Sequence, residues 1–192
     1  MAAIKLNGAD YLLLLLYASN KSPIFGAVRL TKMMFLFNKE ISALLKSKGL
    51  DSDNLPEFVA YNFGPFSKDV YEQIEFFKGL KFIKVINVLA KEDMAEVDDW
   101  EEDSFEFEFI ARERDLLFED GKYMKYEIAD LGTKFVEQEL LPKLSDEQKS
   151  VLEGFKNKIN SLSPKQILKY VYTKYPEFSE NSLIKDEVLG YE

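Results

Sequence analysis

The sequence contains no cysteine and no histidine. The first absence excludes a disulfide framework, a thiolate nucleophile and any sulfur-ligated metal site. The second removes the commonest general base, the commonest transition-metal ligand and the usual side-chain switch near neutral pH. Ser-His-Asp and Cys-His catalysis are therefore excluded, and a metal site would need all-oxygen ligands suited to magnesium or calcium. Arginine is scarce as well: Arg29, Arg112 and Arg114 stand against 34 acids, and the net charge is −9. Base-edge reading favours arginine and phosphate neutralisation needs a basic surface, so this balance argues against nucleic acid as a partner. The longest apolar run, Tyr11 to Ala18, falls well short of the roughly 20 residues that span a bilayer. The first residues, Met1-Ala-Ala-Ile-Lys-Leu-Asn7, lack the charged-then-apolar profile of a secretory signal, so the expected location is the cytoplasm. No P-loop, G-x-G-x-x-G or G-x-S-x-G motif occurs; neither an enzyme nor a cofactor is expected.

What is present is a folding sequence. Hydrophobic residues make up 46% of 192, with 16 Phe and 10 Tyr, enough for a core without covalent staples. Residues 9–19 are apolar on every side, as in a helix enclosed by the rest of the domain. Over 29–46 the residues Leu30, Met33, Met34, Phe37, Ile41, Leu44 and Leu45 follow helical spacing and predict an amphipathic helix. Residues 51–56 read as polar loop, 58–61 as extended, and Asn62-Phe63-Gly64-Pro65 as a turn that puts Pro65 in the first turn of a helix over 66–78. The inner stripe of that helix is Phe66, Val70, Ile74 and Phe77. Strands are predicted over 82–88, over 105–109 from the alternation of Phe and Glu, and over 116–118 and 123–128 around the turn Glu119-Asp120-Gly121. A helix is expected at 132–141. Capping boxes at Ser145/Gln148 and Ser163/Gln166 open two more, the second with Pro164 at the favoured first position.

The fold class expected is α+β, a winged-helix-like helical domain with a small antiparallel sheet and C-terminal helices. One domain would span 1–192, with a winged-helix-like core over 1–141, an acidic loop over 90–104 and a helical segment over 142–192. Helices followed by a hairpin are the order of a winged helix, with 66–78 at the recognition position. Yet the polar residues there are Ser67, Lys68, Asp69, Glu72, Gln73, Glu75 and Lys78, a net negative set badly suited to a major groove.

Between Glu92 and Glu108 lie ten acids in seventeen residues and no base: Glu92, Asp93, Glu96, Asp98, Asp99, Glu101, Glu102, Asp103, Glu106 and Glu108. A solvated loop accounts for most of this run. Docking of a basic protein, or mimicry of nucleic-acid phosphates toward a nucleic-acid-binding protein, stands second. The EF-hand spacing is absent, which weakens a cation site. Trp100 sits within the run, and an aromatic ring among charges is a natural interface anchor.

Three blocks carry a family likeness. Gly26-Ala-Val-Arg29-Leu-Thr-Lys32-Met-Met-Phe35-Leu36 resembles the Arg-x-x-Lys-x-x-Phe-Leu helix of YwgA-like proteins. Tyr61-Asn-Phe63-Gly64-Pro65-Phe-Ser67 resembles their Tyr-x-Tyr-Gly-Pro-x-Ser block, with Phe63 in place of the second tyrosine. Val171-Tyr172-Thr-Lys-Tyr175-Pro176 resembles their closing Val-Tyr-x-x-Tyr-Pro segment. Similar blocks occur in SocA-like, or Panacea, antitoxin domains. The resemblance implies a winged-helix-like domain without catalysis that neutralises a toxin by binding it, or acts as an adaptor presenting it to a protease. The expected function is a non-enzymatic protein-binding module, an antitoxin or regulator in a defence or stress system. Arg29, Lys32 and Tyr61 would line a polar patch near the Gly64-Pro65 turn. Asp98, Asp99, Trp100, Glu101 and Glu102 would meet a basic partner, a toxin or a nucleic-acid-binding protein. The alternatives are a DNA-binding winged-helix transcriptional regulator and a structural subunit of a larger assembly.

Overall fold

The computed structural model describes residues 4–88 and 123–190. Strand β1 (Ile4–Asn7) runs directly into helix α1 (Gly8–Lys21). The Asn7 side chain accepts from the Asp10 amide at 2.9 Å and the Asp10 carboxylate accepts from the Asn7 amide at 2.9 Å. This reciprocal cap satisfies two of the donors that a helix start leaves open. Tyr11 to Leu16 are all buried, as an all-round apolar helix should be. A short strand β2 (Ile24–Phe25) follows, then helix α2 (Ala27–Leu36).

The helix begun by α2 runs on through a π turn (Phe37–Ile41) into α3 (Ser42–Ser47). The expected apolar stripe holds as far as Phe37 and then shifts. Leu45 is fully buried, whereas Leu44, expected beside it on the inner face, is 41% exposed. A π turn inserts one residue, and one residue rotates a helix face by about 100°. Nor is α2 amphipathic, since each of its residues is buried.

Strand β3 (Leu50–Asp53) pairs in parallel with β1, Leu6 opposite Ser52; the sequence pattern reads this stretch as loop. Strands β4 (Val59–Tyr61) and β5 (Gly64–Phe66) form a tight hairpin. Pro65 therefore lies in a strand and not in a helix. Helix α4 (Lys68–Gly79) begins only after Ser67, whose hydroxyl accepts from the Val70 amide at 3.4 Å. Val70, Ile74 and Phe77 face inward as predicted, while Phe66 is left in β5.

Strand β6 (Ile83–Val88) pairs antiparallel with β7 (Tyr123–Ile128), and β2 adds to the other side of β7, giving the order β2-β7-β6. A short helix α5 (Asp130–Phe135) extends through a π turn (Val136–Leu140) and a 3-10 turn (Leu141–Lys143). Both predicted capping boxes are formed, opening α6 (Asp146–Asn160) and α7 (Pro164–Lys174). A further helix, α8 (Lys185–Leu189), lies where the sequence pattern predicts none.

The protein is thus α+β, with three small sheets among the described residues where one was expected. The segment after residue 142 is integral to the core: α6 packs on α1 and α7 on α2. Leu152, Phe155, Leu168, Val171 and Val188 join the same buried cluster as Leu12 and Phe35. Among the described residues no helix is long and apolar enough to cross a membrane. The strands predicted over 105–109 and 116–118, and the acidic run, lie outside the described residues.

The π turn makes a prediction that a regular helix would not. Leu45→Ala should cost about 2–5 kcal/mol, as a buried truncation does, and Leu44→Ala about 0.5 kcal/mol or less, as at a surface position. Urea unfolding of both variants checks this; equal costs would mean a regular helix through residues 37–41.

Candidate functional site

The three sequence blocks meet at the β4–β5 hairpin. From α2, Lys32 is 3% exposed and its Nζ donates to the Pro65 carbonyl at 3.0 Å. Gly64, at φ +83°, lies against α7: a Cβ built there would sit 2.6 Å from Cε1 of Tyr172. Glycine is required twice over, by the left-handed backbone and by the ring. The Tyr172 hydroxyl lies 2.8 Å from the Ser182 hydroxyl, and burial pushes its pKa up to about 12. The Leu183 amide donates to the Asn62 carbonyl at 2.9 Å, and Asn181 donates to the Ala60 carbonyl at 3.2 Å. Beside this joint, the Phe35 ring meets those of Phe58, Tyr175 and Phe178 edge-on at 5.3, 5.2 and 4.8 Å.

At the base of the hairpin is a cavity of about 100 Å³, lined by Val28, Thr31, Lys32, Tyr61, Asn62, Phe63, Gly64, Phe66 and Tyr71. Its aromatic wall is a ladder, Tyr61 to Phe66 at 5.1 Å and Phe66 to Tyr71 at 5.3 Å. Tyr61 is 46% exposed. Of the patch expected from sequence, Lys32 and Tyr61 are brought together here.

Arg29 is not part of this lining. It is buried, and its Nη1 donates to the carbonyls of Ile159, Asn160 and Leu162 at 2.9, 3.2 and 2.6 Å. A cation is well placed there, because the last carbonyls of α6 carry the negative end of the helix dipole. Helical periodicity could have placed Arg29 on a buried face, but the acceptors lie 130 and more residues away.

Glu40, in the π turn, was not singled out by the sequence. Its Oε1 accepts from Tyr170 and Tyr175 hydroxyls at 2.9 and 3.0 Å and from Lys174 Nζ at 3.0 Å. Partial burial disfavours the charged carboxylate, but the donors of Lys174, Tyr170 and Tyr175 together hold its pKa below the usual value. Tyr175 is pushed up to about 12 by burial and by Glu40 itself. The node joins the end of α2 to the end of α7.

A second, shallow groove of about 570 Å³ runs along the outer face of α4, lined by Asn54, Leu55, Glu57, Asp69, Glu72, Gln73 and Phe76. Phe76 is 60% exposed. Lys68 pairs with Glu72 at 2.7 Å and Lys78 with Glu75 at 3.2 Å. Asp98, Asp99, Trp100, Glu101 and Glu102 lie outside the described residues. Among the described residues no group of three acidic side chains is gathered closely enough to hold a metal ion. Comparison with protein-family models and with curated proteins gives no match.

Two predictions follow from the joint and the node. Gly64→Ala should destabilise the fold by more than about 1 kcal/mol, and Tyr61→Ala by about 0.5 kcal/mol or less, in denaturant titrations. The Glu40 carboxyl, lowered on folding, stabilises the fold fully above its unfolded pKa near 4.5. That stability is lost as pH falls through the lower folded value. The stability gap between wild type and Glu40→Gln should therefore be present at neutral pH and shrink toward acid, as read from melting temperatures over a pH series.

Proposed function

We propose that the protein is a non-enzymatic binding module, winged-helix-like in architecture, that acts in the cytoplasm by engaging a partner protein. What supports the architecture is the order α1, β2, α2, α4, β6, β7, with β2 laid against the side of β7 that β6 leaves open. In that arrangement α4 occupies the recognition position. The antitoxin or regulator role in a defence or stress system rests on the sequence blocks, and the protein-binding role on α4.

The observation that carries the role is the outer face of α4. Both of its lysines stand beside acids of the same helix, Glu72 and Glu75, and Asp69 and Glu57 add negative charge along the groove. Phosphates would be repelled from such a face, since duplex binding depends on releasing counterions to basic side chains. A protein partner with basic groups around an apolar pocket would match it, Phe76 supplying the anchor that interfaces favour. Trp100 within the acidic run offers a second anchor of the same kind. A DNA-binding regulator remains the second reading, favoured by the element order alone.

The test is a tagged pull-down from the native host at low and high salt, repeated with Phe76→Ala and with charge reversal at Asp98, Asp99, Glu101 and Glu102. A single basic protein, released by salt and lost with the variants, is the expected result. Recovery of DNA with an affinity falling steeply with salt would replace this proposal by the regulator.

A further inference from the structure

We infer that the groove on α4 continues beyond that helix and takes a short extended segment of a partner protein. The segment has apolar residues in its middle, basic residues at the end that lies on α4 and acidic residues at the other. This deepens the protein-binding reading of α4 and rests on it.

The groove does not stop at α4. Leu55 and Glu57, which line it, also line a second open groove of about 390 Å³, together with Asn38, Lys39, Phe58 and Phe178. The two meet across the shared pair as one track. At one end is Phe76, on α4. At the other are Lys39, in the π turn after α2, and Phe178, in the 3-10 turn Pro176–Ser179. Sites for small molecules bury most of the ligand, and a track open along its length does not; a length of chain is the better fit.

The floor is already built. Its middle, the segment 54–58, is held from both sides: Asn38 Nδ2 donates to the Pro56 carbonyl at 2.8 Å, and the Asp69 carboxylate accepts from the Glu57 amide at 2.9 Å. Phe58 and Phe178 rest edge-on against the buried ring of Phe35. A segment settling there has no loop to order, which is the cost that most weakens a short contact.

Charge gives the track a direction. Asp69 and Glu72 stand at the α4 end and Glu57 in the middle. Lys39 stands at the far end, its Nζ 4.9 Å from the centroid of the Phe178 ring, a position that the ring face favours. A wholly basic segment would meet Lys39 with like charge, and a wholly acidic one would meet Asp69 and Glu57. A segment basic at one end and acidic at the other complements both. Between its ends Leu55 and Phe58 offer apolar surface, and the 60% exposed Phe76 an aromatic anchor.

The probes are two octapeptides with blocked ends, Glu-Glu-Leu-Phe-Leu-Ala-Arg-Arg and its reverse, titrated into the full chain and followed in two-dimensional amide NMR spectra. Each is compared with a counterpart in which both Glu are Gln. One of the two chain directions should give saturable shifts at residues 38–39, 54–58 and 69–76. It should bind more tightly than its Gln counterpart by about two- to fivefold, the worth of one exposed charge pair. In Lys39→Met that preference should vanish, and in Phe76→Ala both peptides should weaken by about tenfold. Lys39 and Phe76 are exposed side chains, so both variants should fold. If the Gln peptide binds as well as the Glu peptide, the track ends at α4, and this inference falls while the protein-binding reading stands. No saturable shift from any of the peptides would also overturn it, as would a preference unchanged in Lys39→Met or an affinity unchanged in Phe76→Ala. The pull-down judges the α4 reading separately.

Discussion

Every charged side chain buried among the described residues is a cation, and each donates to backbone carbonyls. Arg29, on α2, closes the end of α6; Lys156, on α6, closes the end of α1; Lys32, also on α2, holds the carbonyl of Pro65 in β5. Lys156 is the extreme case. It is fully buried, donates to the carbonyls of Leu16, Ala18 and Ser22 at 3.1, 2.8 and 2.6 Å, and is pushed down to about 8 by burial. A helix end leaves carbonyls without partners, and burying them unsatisfied is costly. Hydrogen bonds from a charged donor are worth about 1.5–3 kcal/mol net each, and the helix dipole favours a cation at that end. Each of these helix ends is completed by a side chain from another helix, so α1, α2 and α6 must assemble together.

That constraint explains the unusual end of α1. Ser19, Asn20 and Lys21 all lie at positive φ, at a cost of about 1–2 kcal/mol for each non-glycine residue. They are tolerated because the Lys156 ammonium gathers the carbonyls on either side and the Glu153 carboxylate accepts from the Ser19 amide at 2.9 Å. The left-handed turn delivers the chain into β2 and so sets the third strand beside β7. Cations drawn inward also leave the exterior acidic. The net charge of −9 counts all 25 bases, so burying Arg29, Lys32 and Lys156 leaves three fewer cations to offset the acids at the surface.

What could be read from sequence was local. The capping boxes at Ser145 and Ser163, the buried Leu12 to Leu16 run and the bounds of β7 are written in neighbouring residues. The missed features depend on distant partners. The β1–β3 pair brings Lys5 and Asn7 beside Asp51 and Asp53; β3 follows its Leu50 with three polar residues, and the alternation in β1 lasts only four residues. Pro65 looks like a helix opener until the β4 pairing is known. The π turn displaces Leu44 without any proline or glycine to mark it. Arg29 reads as a surface charge because its acceptors on α6 are invisible from α2. Glu40 draws no notice in the sequence because Tyr170, Lys174 and Tyr175 come from the other end of the chain.

The same distinction bears on where specificity lies. The Arg-x-x-Lys helix, the Gly-Pro turn and the closing Val-Tyr-x-x-Tyr-Pro segment converge on one internal joint, in which Lys32 holds Pro65 and Tyr172 covers Gly64. Most of their side chains are engaged in holding α2, the hairpin and α7 together, and few are left to meet a partner. A joint of this kind fixes the position of α4 through β5 and its Ser67 cap without dictating what α4 presents. On the proposed binding role, selectivity for a partner would fall to side chains outside the blocks, Phe76 and its flanking acids on α4 together with the acidic run from Glu92 to Glu108.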